Sequence, residues 1–298
     1  MSLRVVSVAG PASVHRWRGC LVIEKPEDAG GKVPLDDMAV LILDGPEIAL
    51  THDLIAECAA KNIAVVTSDS RHLPNGLLLP LAGHSNHTAV LRQQMEASLP
   101  TKKRIWQAIV KQKIESQADL VRSLGQDDGP LRAMAARVRS GDPDNVEATA
   151  AAVAFELVFG WAFLRNRDEP GLNAMLNYGY AILRAAVARA VVGAGLHPAL
   201  GVHHRNRSNP LCLADDAMEP LRTIVDRVVY DIADGGPTVD DLVPPVKRRL
   251  IACLGWTVEQ GGVRVPLLVG LERYAASLRR ALCEGAPVEV IVPIFDST

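Results

Sequence analysis

The sequence predicts an α+β protein, a small β-rich N-terminal domain joined to a larger all-α C-terminal domain, and three observations carry that expectation. Short aliphatic runs rich in β-branched residues crowd the first 80 positions. From position 101 onward the apolar residues recur at helical spacing. The stretch between them, "LAGHSNHTAVLRQQMEASLP" at 81–100, is polar and reads as a connector. The predicted boundaries are therefore 1–80, 81–100 and 101–298, and a chain of 298 residues is long enough to bury a substantial core. Hydrophobic residues make up 48% but aromatics only 4%, a balance that favours aliphatic helix packing over a β-sandwich.

Within the first segment, "LRVVSV", "CLVIE", "AVLILD", "IAVVTS" and "GLLLPL" are bounded by Gly, Pro, Asp and Asn and read as strands. One helix interrupts them, "THDLIAECAAKN", with Thr51 as N-cap, Asp53 in the first turn and Asn62 near the C-cap. In the third segment, Ile105, Ala108, Ile109 and Gln112 follow i, i+3, i+4, i+7 spacing, which places the lysines on the other side. "LRAMAARVRSG", "VEATAAAVAFELVFGWAFL", "GLNAMLNYGYAILRAAVARAVVGAG", "LRTIVDRVVYDIADG" and "GLERYAASLRRALCEG" continue as helices. Their alanines and glycines allow close backbone approach, so a tight bundle is expected.

The formal charge of −2 gives no global pull on nucleic acid, but it averages over an uneven chain. Residues 21–60 hold nine acids against Lys25 and Lys32, whereas residues 101–140 hold nine Lys/Arg against four acids. Such polarity can engage a polyanion without a basic average. Five scattered cysteines without CxxC spacing argue against a disulfide framework and a thiolate zinc site. No apolar run approaches a membrane span, so a reduced, cytoplasmic protein is expected.

Three places could carry chemistry. In "GVHHRNRSNPLCLADDAMEPLR", His203 and His204 precede Asp216 and Glu219, whose i, i+3 spacing puts both carboxylates on one helical face. Asp216-x-x-Glu219 is equally a capping box, although Pro220 sits one place past the usual N-terminal proline. Arg205 and Arg207 suit a phosphate or any wet loop. In "SGDPDNVEATAA", Asp142 and Pro143 read as N-cap and first helical residue, which puts Glu147 in the early turns. Glu147 there either complements the helix dipole or projects as a functional carboxylate. His52-Asp53 lacks the second histidine of a metal-dependent phosphohydrolase, and Asp53 is explained by its helix start. Together, Glu147 with a histidine and Asp216/Glu219 make an oxygen-rich set with one imidazole, which suits Mg²⁺ or Mn²⁺ and phosphoryl transfer.

These motifs resemble the CRISPR-associated integrases of spacer acquisition. "GDPDNVEATAA" is similar to the family's segment with Asn two residues before a metal-binding glutamate. "LNYGYAILRAAVARAVVGAGLHPALGVHH" is similar to its LNYGY helix and histidine turn, and "LADDAMEPLR" to its later helix start. "DDMAVLILDGPEIALTHDLIAECAAKNIAVVTSDSRHLPNG" is similar to its N-terminal β-domain, particularly the form found with Cas9-type systems. The resemblance implies Glu147, His204 and Glu219 as catalytic metal ligands, with Asp216 as a supporting acid. It departs at His203, Ala217 and Leu221. It further implies attack of a DNA 3′-hydroxyl on a phosphodiester of the CRISPR array, and a homodimer formed through the β-domain. A small ferredoxin-like adaptation partner, double-stranded DNA and the RNA-guided effector nuclease of the same locus would be the other partners. Lys102, Lys103, Arg104, Lys111, Lys113, Arg205, Arg207 and Lys247 to Arg249 are candidates for the DNA backbone. A non-catalytic helical scaffold and a phosphohydrolase of small esters are the competing readings, and Asn145, Asn177 and Tyr178 have no assigned role.

Overall fold

The computed structural model describes residues 3–26, 30–81, 83–160, 163–166, 169–234, 242–284 and 289–295. Its N-terminal part holds two four-stranded sheets. Strands β1 (Arg4–Ala9), β5 (Met38–Asp44) and β7 (Ala64–Ser68) run parallel, and β8 (Pro74–Leu78) closes that sheet antiparallel to β7 in the order β1-β5-β7-β8. The second sheet, in the order β4-β3-β2-β6, contains β2 (Ala12–Trp17), β3 (Cys20–Glu24), β4 (Gly31–Pro34) and β6 (Ile48–Leu50). Strands β2, β4 and β6 were not anticipated: each is short or charge-interrupted, so alternation is faint over so few residues. Helix α1 (His52–Ala60) starts where expected, with the Thr51 hydroxyl accepting from Leu54 N at 3.4 Å.

Every residue of β5 is buried. Leu41 and Leu43 face the second sheet with Val14, Leu21 and Leu54, while Val40 and Ile42 face the helices. A strand buried on both faces reads as a continuous apolar run, which is how "AVLILD" appears in the sequence. The parallel sheet is thus a wall shared by both parts of the chain. Arg189 ties them further, donating from Nε to the Asn62 carbonyl at 2.7 Å.

The connector is not simply a linker. Residues His87–Glu96 form helix α2, and its buried Gln94 holds a turn near the candidate site. Helix α3 (Leu99–Ser123) begins inside the same stretch, capped by Ser98 with Pro100 in its first turn. The polar composition of 81–100 concealed an element whose buried face is narrow. Beyond it come α4 (Gly129–Arg137), α5 (Val146–Phe159), α6 (Leu172–Gly193), α7 (Cys212–Met218), α8 (Arg222–Asp234), α9 (Pro244–Ala252) and α10 (Leu267–Cys283). A small sheet of β9 (Thr257–Gln260), β10 (Val263–Pro266) and β11 (Ile294–Phe295) lies among these helices, so the C-terminal part is not purely helical. Close approach is real: a Cβ on Gly179 of α6 would lie 2.5 Å from the Val225 side chain of α8.

Candidate functional site

The site is built where α3, the start of α5 and the α7–α8 junction meet. Glu147 owes its position to the turn before α5. Asp142 and Asn145 both adopt left-handed backbone conformations, with φ of 46° and 51°, around Pro143. The Asp142 carboxylate accepts from Val146 N and Glu147 N, both at 3.0 Å. It therefore caps the helix as its side chain suggested, but from outside. The helix begins at Val146, and Pro143 is not its first residue. Asn145 acts here as a turn former that aims Glu147.

Asp216 does not begin a helix, so the capping-box alternative fails. It lies inside α7, wholly buried, and folds the preceding turn around itself. Its carboxylate accepts from Val202 N at 2.7 Å, His203 N at 3.0 Å, His204 N at 3.1 Å and His204 Nδ1 at 2.6 Å. Gly201 is required beside it, since a Cβ there would lie 2.5 Å from the His204 carbonyl and 2.8 Å from the Asp216 carboxylate. From the other side, Gln94 of α2 donates to the carbonyls of His197 and Leu200 and accepts from His197 N. The hydrogen bond to Asp216 raises the His204 pKa against the opposing effect of burial. It also engages Nδ1, which leaves Nε2 as the ring nitrogen able to meet a ligand.

His203 takes a different place. Its ring stacks on Trp106 of α3, with centroids 4.1 Å apart, and meets His204 edge-on at 5.5 Å. Trp106 also packs edge-on to His204 at 5.9 Å. The two histidines are thus distinct: one is stacked, the other is oriented by a carboxylate.

Glu219 stands at a break. Residues Glu219–Leu221 form a single 3-10 turn between α7 and α8, where Pro220 cannot supply the N–H of an α-helical ladder. Buried there, its carboxyl would resist ionisation, but Lys113 and Arg222 hold its pKa down to about 2. Arg222 donates to Oε1 from Nε at 3.0 Å and from Nη2 at 2.8 Å. Lys113 of α3 donates from Nζ to Glu219 Oε2 and to Glu147 Oε1, both at 2.6 Å.

Glu147 and Glu219 therefore converge on one positively charged point. Among the described residues no three His, Cys, Asp or Glu side chains close together around a common centre, and the Lys113 ammonium lies where the two glutamates meet. The donor set nevertheless fits a hard divalent cation: two carboxylates meeting at a point, and an imidazole fixed by a buried acid. His204 and Glu219 face a cleft of about 520 Å³ whose walls include Arg165, Tyr180, Arg184, Asn209 and Arg222. Arg184 is braced there by Asp215 and Asn209, with Nη2 at 2.8 and 2.7 Å from their side-chain oxygens. Behind the cleft, Tyr180 donates to Asp226, and burial raises the Asp226 pKa to about 7.

Two of the proposed DNA contacts need correction. Lys113 is buried in this site, and Lys247 is buried against Asp44, 2.6 Å from its Oδ2. Neither ammonium is presented to a phosphate. Lys103, Arg104, Arg205, Arg207, Arg248 and Arg249 are exposed, with Lys102 and Lys111 half-buried. Asn177 accepts from Arg165 at 2.6 Å, and Tyr178 is a packed core residue beside Lys247. Asp53 lies in the first turn of α1, as expected, and also pairs with Arg16 on the surface.

Trp106, Lys113, Arg184 and Arg222 were missed as site residues. The signal for Lys113 was present: Ile105, Ile109, Lys113 and Gln117 fall at successive i+4 steps, so this lysine lies within the apolar stripe.

A strand-rich N-terminal part, a helical C-terminal part and a candidate acid–imidazole site together describe an α+β protein. The family model of CRISPR associated protein Cas1 matches residues 6–239. A CRISPR-associated endonuclease Cas1 of Neisseria meningitidis is 38% identical over 263 residues, covering 88% of this chain and 86% of the relative. One from Pyrobaculum aerophilum is 27% identical over 299 residues, covering 94% and 99%. The chain belongs to the Cas1 family. In fold it is similar to a casposase bound to integration product, with a TM-score of 0.79 at 20% identity and coverage of 100% and 95%. It is also similar to a Cas1 protein from Thermotoga maritima, with a TM-score of 0.77 at 15% identity and coverage of 94% and 97%.

Proposed function

We propose that this Cas1-family chain is a divalent-metal-dependent DNA endonuclease and integrase that inserts short DNA duplexes into a CRISPR array. The observation that carries the reading is the convergence of Glu147 and Glu219 on one cationic point, beside a histidine whose Nδ1 is held by buried Asp216.

In this reading Glu147, His204 and Glu219 hold Mg²⁺ or Mn²⁺. The ion, when bound, would neutralise charge on the scissile phosphate and favour ionisation of the attacking 3′-hydroxyl. The chain's own residues do the rest. Asp216 keeps His204 in the tautomer with its proton on Nδ1 and its lone pair on Nε2. Arg222 and the break at Pro220 hold the Glu219 carboxylate ionised and immobile. Arg184, fixed by Asp215 and Asn209, offers a guanidinium edge along the cleft for a non-bridging phosphate oxygen. Exposed Lys103, Arg104, Arg205, Arg207 and Arg248 would hold DNA through its backbone, with strong salt dependence.

The reading extends to partners. A solved structure similar in fold to this chain, with a TM-score of 0.71, is titled a Cas6-RT-Cas1--Cas2 complex, and another, with a TM-score of 0.58, a TtCas1-DNA complex. By analogy this chain would act on double-stranded DNA as a homodimer, paired through its N-terminal sheets, with a small ferredoxin-like partner and in concert with the effector nuclease of its locus.

The test is strand transfer of a short 3′-hydroxyl duplex into a supercoiled plasmid carrying the cognate repeat, with the small partner present. Mg²⁺, Mn²⁺ and EDTA are compared for wild type, Glu147→Ala, His204→Ala and Glu219→Ala. The expected result is metal-dependent product, lost in all three variants. Product that survives Glu147→Ala, or no product while an active relative works alongside, would move a non-catalytic DNA-binding scaffold to the front.

A further inference from the structure

The point where Glu147 and Glu219 meet is already filled by a positive charge from the chain itself. Lys113 projects from the middle of α3, between buried Ile109, Ile114 and Gln117, and its side chain is only 8% exposed. Its amine lies between two carboxylates, surroundings that favour the cationic form of a lysine. Its Nζ touches one oxygen of each carboxylate at 2.6 Å. The other oxygen of Glu219 takes both bonds from Arg222. Each Glu219 oxygen thus carries a basic partner. An ion bridging Glu147 Oε1 and Glu219 Oε2 at about 2.1 Å from each would lie in the volume that Nζ fills at 2.6 Å from both, so ion and ammonium exclude each other there. One of the two basic side chains must therefore yield.

Arg222 is the harder to move. Its planar fork makes two bonds to one oxygen, and its guanidinium also lies over the Tyr180 ring, 4.7 Å from the centroid. Lys113 makes single contacts at the end of a four-carbon stem that can swing without moving α3.

We propose that Lys113 is an internal counter-cation occupying the divalent ion's place, and that the ion binds by exchange, driving the ammonium off both carboxylates. The proposal rests on the ligand assignment made above. It gives the metal-free protein a charge-balanced site in which Glu147 and Glu219 do not repel each other. The same contact sets a threshold: metal must outcompete a tethered cation, so occupancy stays low until the ion is abundant.

The experiment is Mn²⁺ binding to the full chain, followed by calorimetry and by the loss of the free-ion paramagnetic resonance signal. Wild type, Lys113→Met and Glu219→Ala are compared. The expected result is that Lys113→Met binds Mn²⁺ about tenfold tighter than wild type or better, while Glu219→Ala loses the site. Equal affinities for wild type and Lys113→Met, with binding still lost in Glu219→Ala, would overturn the exchange and leave the ligand assignment standing. Binding unaffected by Glu219→Ala would overturn both. A crystal structure of the wild type with Mn²⁺ is the second measurement and needs no variant to fold. Nζ withdrawn from Glu147 and Glu219 is expected; Nζ still bonded to both beside a bound ion would refute the proposal.

Discussion

Two lysines are buried among the described residues, and they differ in how many acids each one meets. Lys247 sits on α9 where the helices meet the parallel sheet. It faces a single carboxylate, Asp44 at the end of β5, whose other oxygen lies 2.7 Å from His72 Nδ1. Lys113 faces two carboxylates from different elements, of which Glu219 lines the cleft and is shared with Arg222. Asp44, with Lys247 on one oxygen and His72 on the other, locks a junction. Two acids held together by one ammonium are the arrangement on which the proposed exchange rests. Burial alone does not distinguish the cases, whereas the number of anions meeting at the lysine does.

The largest expected effect breaks the first pair. Lys247→Met leaves Asp44 buried without its cation and should cost about 3–5 kcal/mol in urea unfolding, with most of the loss recovered by the double variant Asp44→Asn/Lys247→Met. A loss below about 1 kcal/mol would mean that His72 or water suffices to balance Asp44.

Next is the acid behind the cleft. Asp226 has its pKa raised from 3.8 to about 7, so the native state holds a proton there that the unfolded chain releases earlier. Stability should therefore fall as pH rises from about 4 to about 7, by up to about 4 kcal/mol, and that fall should shrink in Asp226→Asn. Parallel stability–pH profiles for wild type and variant would show that Asp226 ionises normally.

Gly201→Ala should cost about 1–3 kcal/mol, since its Cβ would press on the His204 carbonyl and the Asp216 carboxylate. It should also disturb the His204 ring, seen as a shift in its NMR titration; a normal titration would mean the turn adjusts elsewhere. The smallest effect is expected at the surface. Arg205→Ala should change stability by less than about 0.5 kcal/mol and lower the salt slope of DNA binding by about 1. An unchanged slope would remove Arg205 from the DNA track.

Much of the fold could be read along the chain because burial follows period. The all-apolar "AVLILD" marked a strand covered on both faces, and Thr51 marked its helix through a local hydroxyl-to-amide bond. Helix α2 escaped because only Val90 and Gln94 of its ten residues are buried. The candidate ligands Glu147, His204 and Glu219 were visible as motifs, but Asp216 was equally a capping residue until the turn at 201–204 was seen folded around it. Lys113 and Lys247 were read as solvent-facing for a simple reason: a lysine's ordinary place is water, and its exception depends on acids far away in sequence.

Strand and helix types and the acidic and basic segments of the chain follow from local order, because propensity, capping and periodicity act over a few neighbours. Which acid meets which base is another matter. Lys113 lies 34 residues from Glu147 and 106 from Glu219, and Lys247 lies 203 from Asp44. Those meetings exist only after α3, α5, the Pro220 turn and the parallel sheet have packed. A buried charge takes its partner from three-dimensional proximity in a low-dielectric interior, and no spacing along the chain encodes that distance.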